Sequence, residues 1–230
     1  MKSRFKFFIL GLLALTVSSA GAQNFFDTSA PDKFINFGVR LGINTSNQTS
    51  PSYGKISNLD SWGTGFDAGA VVDINFRDFL SVQPGFFFES RSHNYSYISE
   101  ALTGGSIPDV ANYGHTRSTW FKIPLLASVK FNPANNLRWA LEAGPVFGFG
   151  LGGSDKSHFF SPDYGWTRFK TGYFDNRKKW SFGWKLGTTL RYAGHYLLGI
   201  HYEAGTSDVY KADIVGGRHK AWVFTLGYDF

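Results

Sequence analysis

From residue 221 to the C-terminus, large apolar side chains alternate with small or polar ones. Trp222, Phe224, Leu226, Tyr228 and Phe230 stand against Val223, Thr225, Gly227 and Asp229. Successive side chains of a strand point to opposite faces, so this segment predicts a strand with one aromatic face. The same period of two recurs seven times upstream. Residues 34–44 set Ile35, Phe37, Val39, Leu41 and Ile43 against Gly38, Arg40 and Gly42, and residues 62–75 set Trp62, Phe66, Val72 and Ile74 against Gly63, Gly65, Asp67, Gly69 and Asp73. Residues 79–91 oppose Leu80, Val82, Pro84, Phe86 and Phe88 to Gln83, Gly85, Glu89 and Arg91, with Phe87 out of pattern. Four more segments follow at 119–131, 137–151, 180–192 and 196–205, each with an aromatic or aliphatic row facing a row of glycines and charges.

The connections fall into two classes. Residues 76–78, 132–136 and 193–195 are short, whereas 45–61, 92–118, 152–179 and 206–218 are long and polar. Long and short alternate strictly, beginning with long. Membrane barrels have this order, with short periplasmic turns and longer outer loops. The predicted fold is therefore all-β: an eight-stranded antiparallel up-and-down transmembrane β-barrel with four long outer loops, three short periplasmic turns and both termini at the short-turn end.

Period alone does not say which face meets lipid; the charges do. The polar rows carry Arg40, Asp67, Asp73, Glu89, Arg91, Lys122, Lys130, Arg138, Glu142, Lys185, Arg191, His201 and Glu203, both signs interspersed and many neighbours glycine. Small barrels have room for side chains and little else, so these residues are expected to form a polar network in the lumen. A solvated outer face would be the alternative, but the nearly continuous aromatic rows favour lipid on their side. Pro84, Pro124 and Pro145 lie inside predicted strands, where proline lacks a ladder donor. Bulges or weakened pairing are expected there.

Composition agrees with a lipid-facing surface. Charged residues are 17% of the 230 and aromatics 18%, against about 25% charged in average soluble domains. The chain has no cysteine, so it depends on no disulfide. The first 22 residues read as a signal peptide: Lys2, Arg4 and Lys6, an apolar run from 7 to 17, then Ala20-Gly21-Ala22 as an A-x-A cleavage site. Cleavage would leave residues 23–33 as a short periplasmic tail and 34–230 as the barrel. It would also lower the formal charge from +6 to +3, which weakens any nucleic-acid reading. After the signal no apolar stretch approaches the 20 or so residues of a spanning helix.

Several segments resemble the PorT-like family of small outer-membrane β-barrels of Bacteroidota-type bacteria. They are Phe121-Lys122-Ile123-Pro124-Leu125-Leu126, Leu141-Glu142-Ala143-Gly144-Pro145, Ser81-Val82-Gln83-Pro84, and Phe182 to Gly187 with Leu198 to Tyr202. The resemblance runs in order along most of the mature chain. It implies the barrel, a location in the bacterial outer membrane and prolines within strands. It carries over no active site.

Candidate chemistry is sparse. His201 and Glu203 share one strand face, but no serine or aspartate makes a recognisable catalytic arrangement with them, and the six histidines show no ligand spacing. No catalytic, cofactor or metal residue is expected. The long segment 152–179 offers more: Lys156, Arg168, Lys170, Arg177, Lys178 and Lys179 lie among Phe159, Phe160, Tyr164, Trp166 and Tyr173. These residues are candidates for contacts with outer-membrane lipid, with lipopolysaccharide or with a protein partner. Tyr228 and Phe230 resemble the terminal aromatic signal read by the outer-membrane assembly machinery. The functional expectation is a non-enzymatic barrel with a structural or binding role through its extracellular loops. A narrow, selective porin-like channel is the first alternative, and an outer-membrane lipid-modifying enzyme the second.

Overall fold

Alternating rows of this kind cannot close as an open sheet in lipid, because unpaired edge groups have no water to bond. The computed structural model of the chain shows the closed solution. It describes residues 26–49, 57–58, 61–100, 108–134, 136–161, 165–211 and 217–230. The signal segment 1–22 and the start of the tail lie outside the described residues.

Among the described residues ten strands form one antiparallel sheet. They are β1 (Ile35–Gln48), β2 (Ser57–Asn58), β3 (Ser61–Arg77), β4 (Leu80–Glu100), β5 (Pro108–Ala134), β6 (Leu137–Ser161), β7 (Gly165–Gly172), β8 (Trp180–Tyr192), β9 (Tyr196–Gly205) and β10 (His219–Asp229). Eight of them make the ring β1-β3-β4-β5-β6-β8-β9-β10, which closes as β10 pairs with β1 from Gly38↔Asp229 to Gln48↔His219. The backbone N–H of Phe230 adds one more bond, to the Phe37 carbonyl at 2.9 Å. β2 and β7 lie outside the ring, paired to β4 and β6.

The face assignment follows the period. Phe37, Leu41, Phe66, Phe86, Phe88, Phe147, Trp184, Leu198 and Leu226 are exposed on the outside, while the glycine-and-charge rows are buried within. Phe131 and Phe121 bound the apolar row of β5. The roughly ten rises between them, at about 3.3 Å each on a strand tilted by about 40°, cover about 25 Å, the height of an outer-membrane apolar band. Phe87, which breaks the outward pattern, turns inward and is buried.

The prolines interrupt the ladder without bulging it. Pro84 pairs with Leu125 and pairing resumes at Phe87↔Lys122 in the same register; across β5 and β6 it runs from Pro124↔Val146 to Ala127↔Ala143, again unshifted. The expected bulges are thus not at the prolines. The register shifts fall elsewhere, at Ser99/Glu100, Thr119/Trp120 and Phe131/Ala134, and between β3 and β4. Gly144 lets the chains approach here: a Cβ on it would collide with the Leu125 carbonyl.

The larger departure concerns the outer loops. Much of 92–118 and 152–179 is strand, because β4, β5 and β6 continue far above the apolar band and β7 adds to them. Alternation fails as a signal there because neither face meets lipid, yet the backbone ladder needs no hydrophobic contrast to continue. At the other end the tail is anchored. Phe26 packs edge-on against Phe79 and Phe131, and the carbonyls of Asp27 and Ser29 accept bonds from Phe79 and Asp78.

Candidate functional site

The lumen is stapled across its diameter by ion pairs. Near the periplasmic end, Asp229 of β10 bonds Arg40 of β1 and Arg191 of β8, both at 2.7 Å. Asp73 of β3 takes Lys130 of β5 at 2.7 Å and Arg191 at 3.5 Å, while the Lys130 ammonium also donates to Asn75. Higher up, Glu203 of β9 pairs with Arg91 of β4 at 2.7 Å and with Lys122 of β5, and Glu89 binds the same two cations. In ring order β4 stands diametrically opposite β9, and β3 opposite β8. Asp229, Asp73 and Glu203 thus each tie two walls to a third, while Glu89 ties β5 to its own strand.

The remaining polar residues fill the space between. His201 Nε2 lies 2.7 Å from Glu142 Oε2, and the Thr189 hydroxyl donates to the other Glu142 oxygen at 3.0 Å. His201 and Glu203 therefore serve different clusters. Lys185 places its ammonium 5.4 Å from the centre of the Phe87 ring. Asp67 is buried with its carboxylate over Gly42, where any Cβ would overlap it. Arg138 departs from the expected network. It stands at the periplasmic mouth with its side chain about one-third exposed, and both Asp78 oxygens accept its bonds at 3.1 and 2.9 Å. Among the described residues two cavities persist in the lumen, of about 20 and 10 Å³, room for about one water each.

A cap closes the extracellular end. Past β7 the chain folds back over the ring, and Tyr173 and Phe174 bury themselves against Trp120, whose ring meets Phe174 edge-on at 5.2 Å. Arg177 is buried there as well. Its guanidinium bonds Asp155 at 2.9 Å and the Tyr173 carbonyl at 3.2 Å, and lies 4.4 Å above the Tyr173 ring. Tyr95 donates to Asp155 at 2.7 Å, while Gln48 accepts from Tyr173 at 3.3 Å and donates to Tyr210 at 2.9 Å. Burial pushes the Tyr173 hydroxyl up to about 12, against the opposing pull of Arg177. Tyr95 is raised by burial and by its bond to Asp155.

The six basic residues of segment 152–179 thus separate. Arg177 is no surface contact: burial and its Asp155 bond commit it to the cap. Lys178 is half-buried and Lys179 exposed on the return to β8. Lys156, Arg168 and Lys170 are exposed on one face of the extracellular sheet, where Lys156 pairs with Lys170 and His158 with Arg168 across β6 and β7. The β5 partners His115 and Arg117 extend the same face. Sequence reasoning missed His115, Arg117 and His158, whose proximity depends on the continued ladder.

A closed ring with lipid-facing aromatics and an ion-paired lumen defines a small transmembrane β-barrel of the outer-membrane type. The chain belongs to the family of outer membrane protein beta-barrel domains, whose sequence model matches residues 22–211. Among solved structures it is similar to the attachment invasion locus protein Ail of Yersinia pestis in complex with the heparin analogue sucrose octasulfate. The identity is 16%, over 86% of this chain and 100% of that one, with a TM-score of 0.43. Neisserial surface protein A is similar at 14% identity over 84% and 97% of the two chains, with a TM-score of 0.42. The outer membrane protein OprG of Pseudomonas aeruginosa matches at 14% over 89% and 99%, with a TM-score of 0.35. No curated protein matches.

Proposed function

We propose that the protein is a closed, non-enzymatic outer-membrane barrel that acts by binding, through the sheet that β4–β7 raise above the membrane. One observation carries this reading: ion pairs span the lumen at two levels, Tyr173, Phe174 and Arg177 cap it, and the cavities between hold about one water each, the wider space of about 490 Å³ lying at the periplasmic mouth. Such a barrel stays silent in planar bilayers. Stable, discrete conductance steps from the purified wild type would replace the reading with the narrow-channel one.

The motif resemblance supports reading the chain as a PorT-like member of its family. Signal cleavage after Ala22 delivers it to the periplasm, and the assembly machinery takes it up through its last strand. The Phe230 ring packs edge-on to Tyr228 at 5.4 Å beside the closing seam, which supports a role for both in insertion. Deleting Phe230 is expected to lower the amount of heat-modifiable barrel in the membrane; wild-type levels would remove these residues from the assembly step.

A further inference from the structure

Among the described side chains, the outward face of the extracellular sheet carries one sign of charge. Reading across the paired strands, one row holds Asn94, His115, Lys156 and Lys170, and the next Ser96, Tyr113, His158 and Arg168; Arg117 lies in the row below. The acids of β4–β7 with described side chains are Glu89, Glu142 and Asp155, and all are engaged on the lumen side. Beyond β7, Asp175 accepts the Gly172 N–H at 2.8 Å. Burial lowers the affinity of His115 for a proton, and Arg117 and Lys156 lower it further. Asp155, on the other face of the sheet, pulls the opposite way and is the smallest of these influences.

Aromatic rings flank the charges. Tyr113 stacks on His158 at 4.6 Å and 7°, and Trp166 meets Tyr113 and Phe160 at 5.3 Å each. Tyr113 and Trp166 are about half exposed, at 47% and 57%. Exposed ring faces beside cations suit a sugar that carries phosphate: C–H bonds lie on the rings and the phosphate oxygens accept charge-assisted bonds.

Height narrows the ligand further. Arg117 is four residues above Phe121, the top of the apolar band on β5. It stands about 10 Å higher, and the His115–Lys156–Lys170 row about 15 Å, for tilted strands. A phospholipid headgroup zone adds only about 5–8 Å on each side of the hydrocarbon. The lower edge of the patch can reach it, but the centre stands where a larger saccharide headgroup would be.

We infer that this face binds a phosphorylated glycolipid of the outer leaflet, with Arg117, Lys156, Arg168 and Lys170 holding phosphate and Tyr113 and Trp166 the sugar ring. The inference rests on the reading of the protein as a binding barrel with this sheet outside the cell. It is tested on the full-length mature barrel in detergent, by native mass spectrometry with bisphosphorylated lipid A, its dephosphorylated form and phosphatidylglycerol as probes. Lipid A is expected to bind most tightly. The variant Lys156→Glu/Arg168→Glu/Lys170→Glu should weaken it by at least about tenfold, the loss of several charge-assisted bonds, while remaining heat-modifiable. Arg77→Glu, at the periplasmic rim, should not. Inorganic phosphate at millimolar concentration should compete only weakly. Equal binding by the triple variant and the wild type would overturn the inference, as would equal binding of phosphatidylglycerol and lipid A, or full displacement by free phosphate. Should the triple variant fail to fold, Trp166→Ala and Lys170→Gln singly must each reduce lipid A binding. Conductance by the wild type would instead overturn the proposed function, whatever the lipid result.

Discussion

β4, β5 and β6 each run through two environments, and their lower and upper halves obey different rules. In the lower half one face meets lipid and the other a lumen with room for isolated waters between its side chains, so each position is committed: apolar outside, and small or ion-paired inside. In the upper half the outward face meets water or headgroups, and only the inner face, where Tyr95 and Asp155 support the cap, is constrained. One backbone ladder serves both halves. Backbone hydrogen bonding therefore sets the reach of these strands, while the solvent on either side sets how much each side chain matters.

This contrast predicts a gradient of mutational cost. The largest effect is expected inside: Glu203→Ala leaves Lys122 and Arg91 short of a partner and should cost about 3–5 kcal/mol, as for a broken buried pair. Equilibrium unfolding in a lipid bilayer measures it, and a loss below 1 kcal/mol would mean that the lumen tolerates loose charge. On the lipid face Leu41→Arg, at an exposed mid-strand position, should cost about 2–4 kcal/mol. On the upper outward face Lys156→Glu should change folding by less than about 0.5 kcal/mol while weakening lipid A binding. Equal costs at these two outward sites would erase the distinction between the halves.

The smallest effect is a titration. Tyr173 has its folded value raised to about 12, against about 10 in an unfolded chain. The stability it gives the cap is therefore complete below pH 10 and declines as pH rises towards 12. The difference in phenolate absorbance between wild type and Tyr173→Phe should show a step near 12. A step near 10 would mean that the cap is open in solution.

The lower halves were readable from the period of two, with the charged rows marking the inward face. Residues 180–192 and 196–205 are strands over those same limits in the fold, because lipid and lumen impose opposite demands on adjacent residues. Phe87 announced itself as the exception and proved to be lumen filling. The upper halves were read as loops because Tyr95, Tyr113 and Lys156 follow no lipid-imposed alternation. Arg177 shows the same limit: as a letter in a basic segment it looked like Lys156, yet Asp155 lies 22 positions upstream and binds it only once the chain has folded back.

Sequence by itself determined the number of membrane strands, their up-and-down order and the face each turns to lipid, because a period of two against an apolar solvent is a local property of the chain. The tertiary structure decided which charges meet across the lumen, that residues 173–177 form a cap, and that Lys156, Arg168 and Lys170 share a face with His115 and Arg117. Those relations join residues far apart in sequence, and they exist only after the ring has closed and the strand register is set.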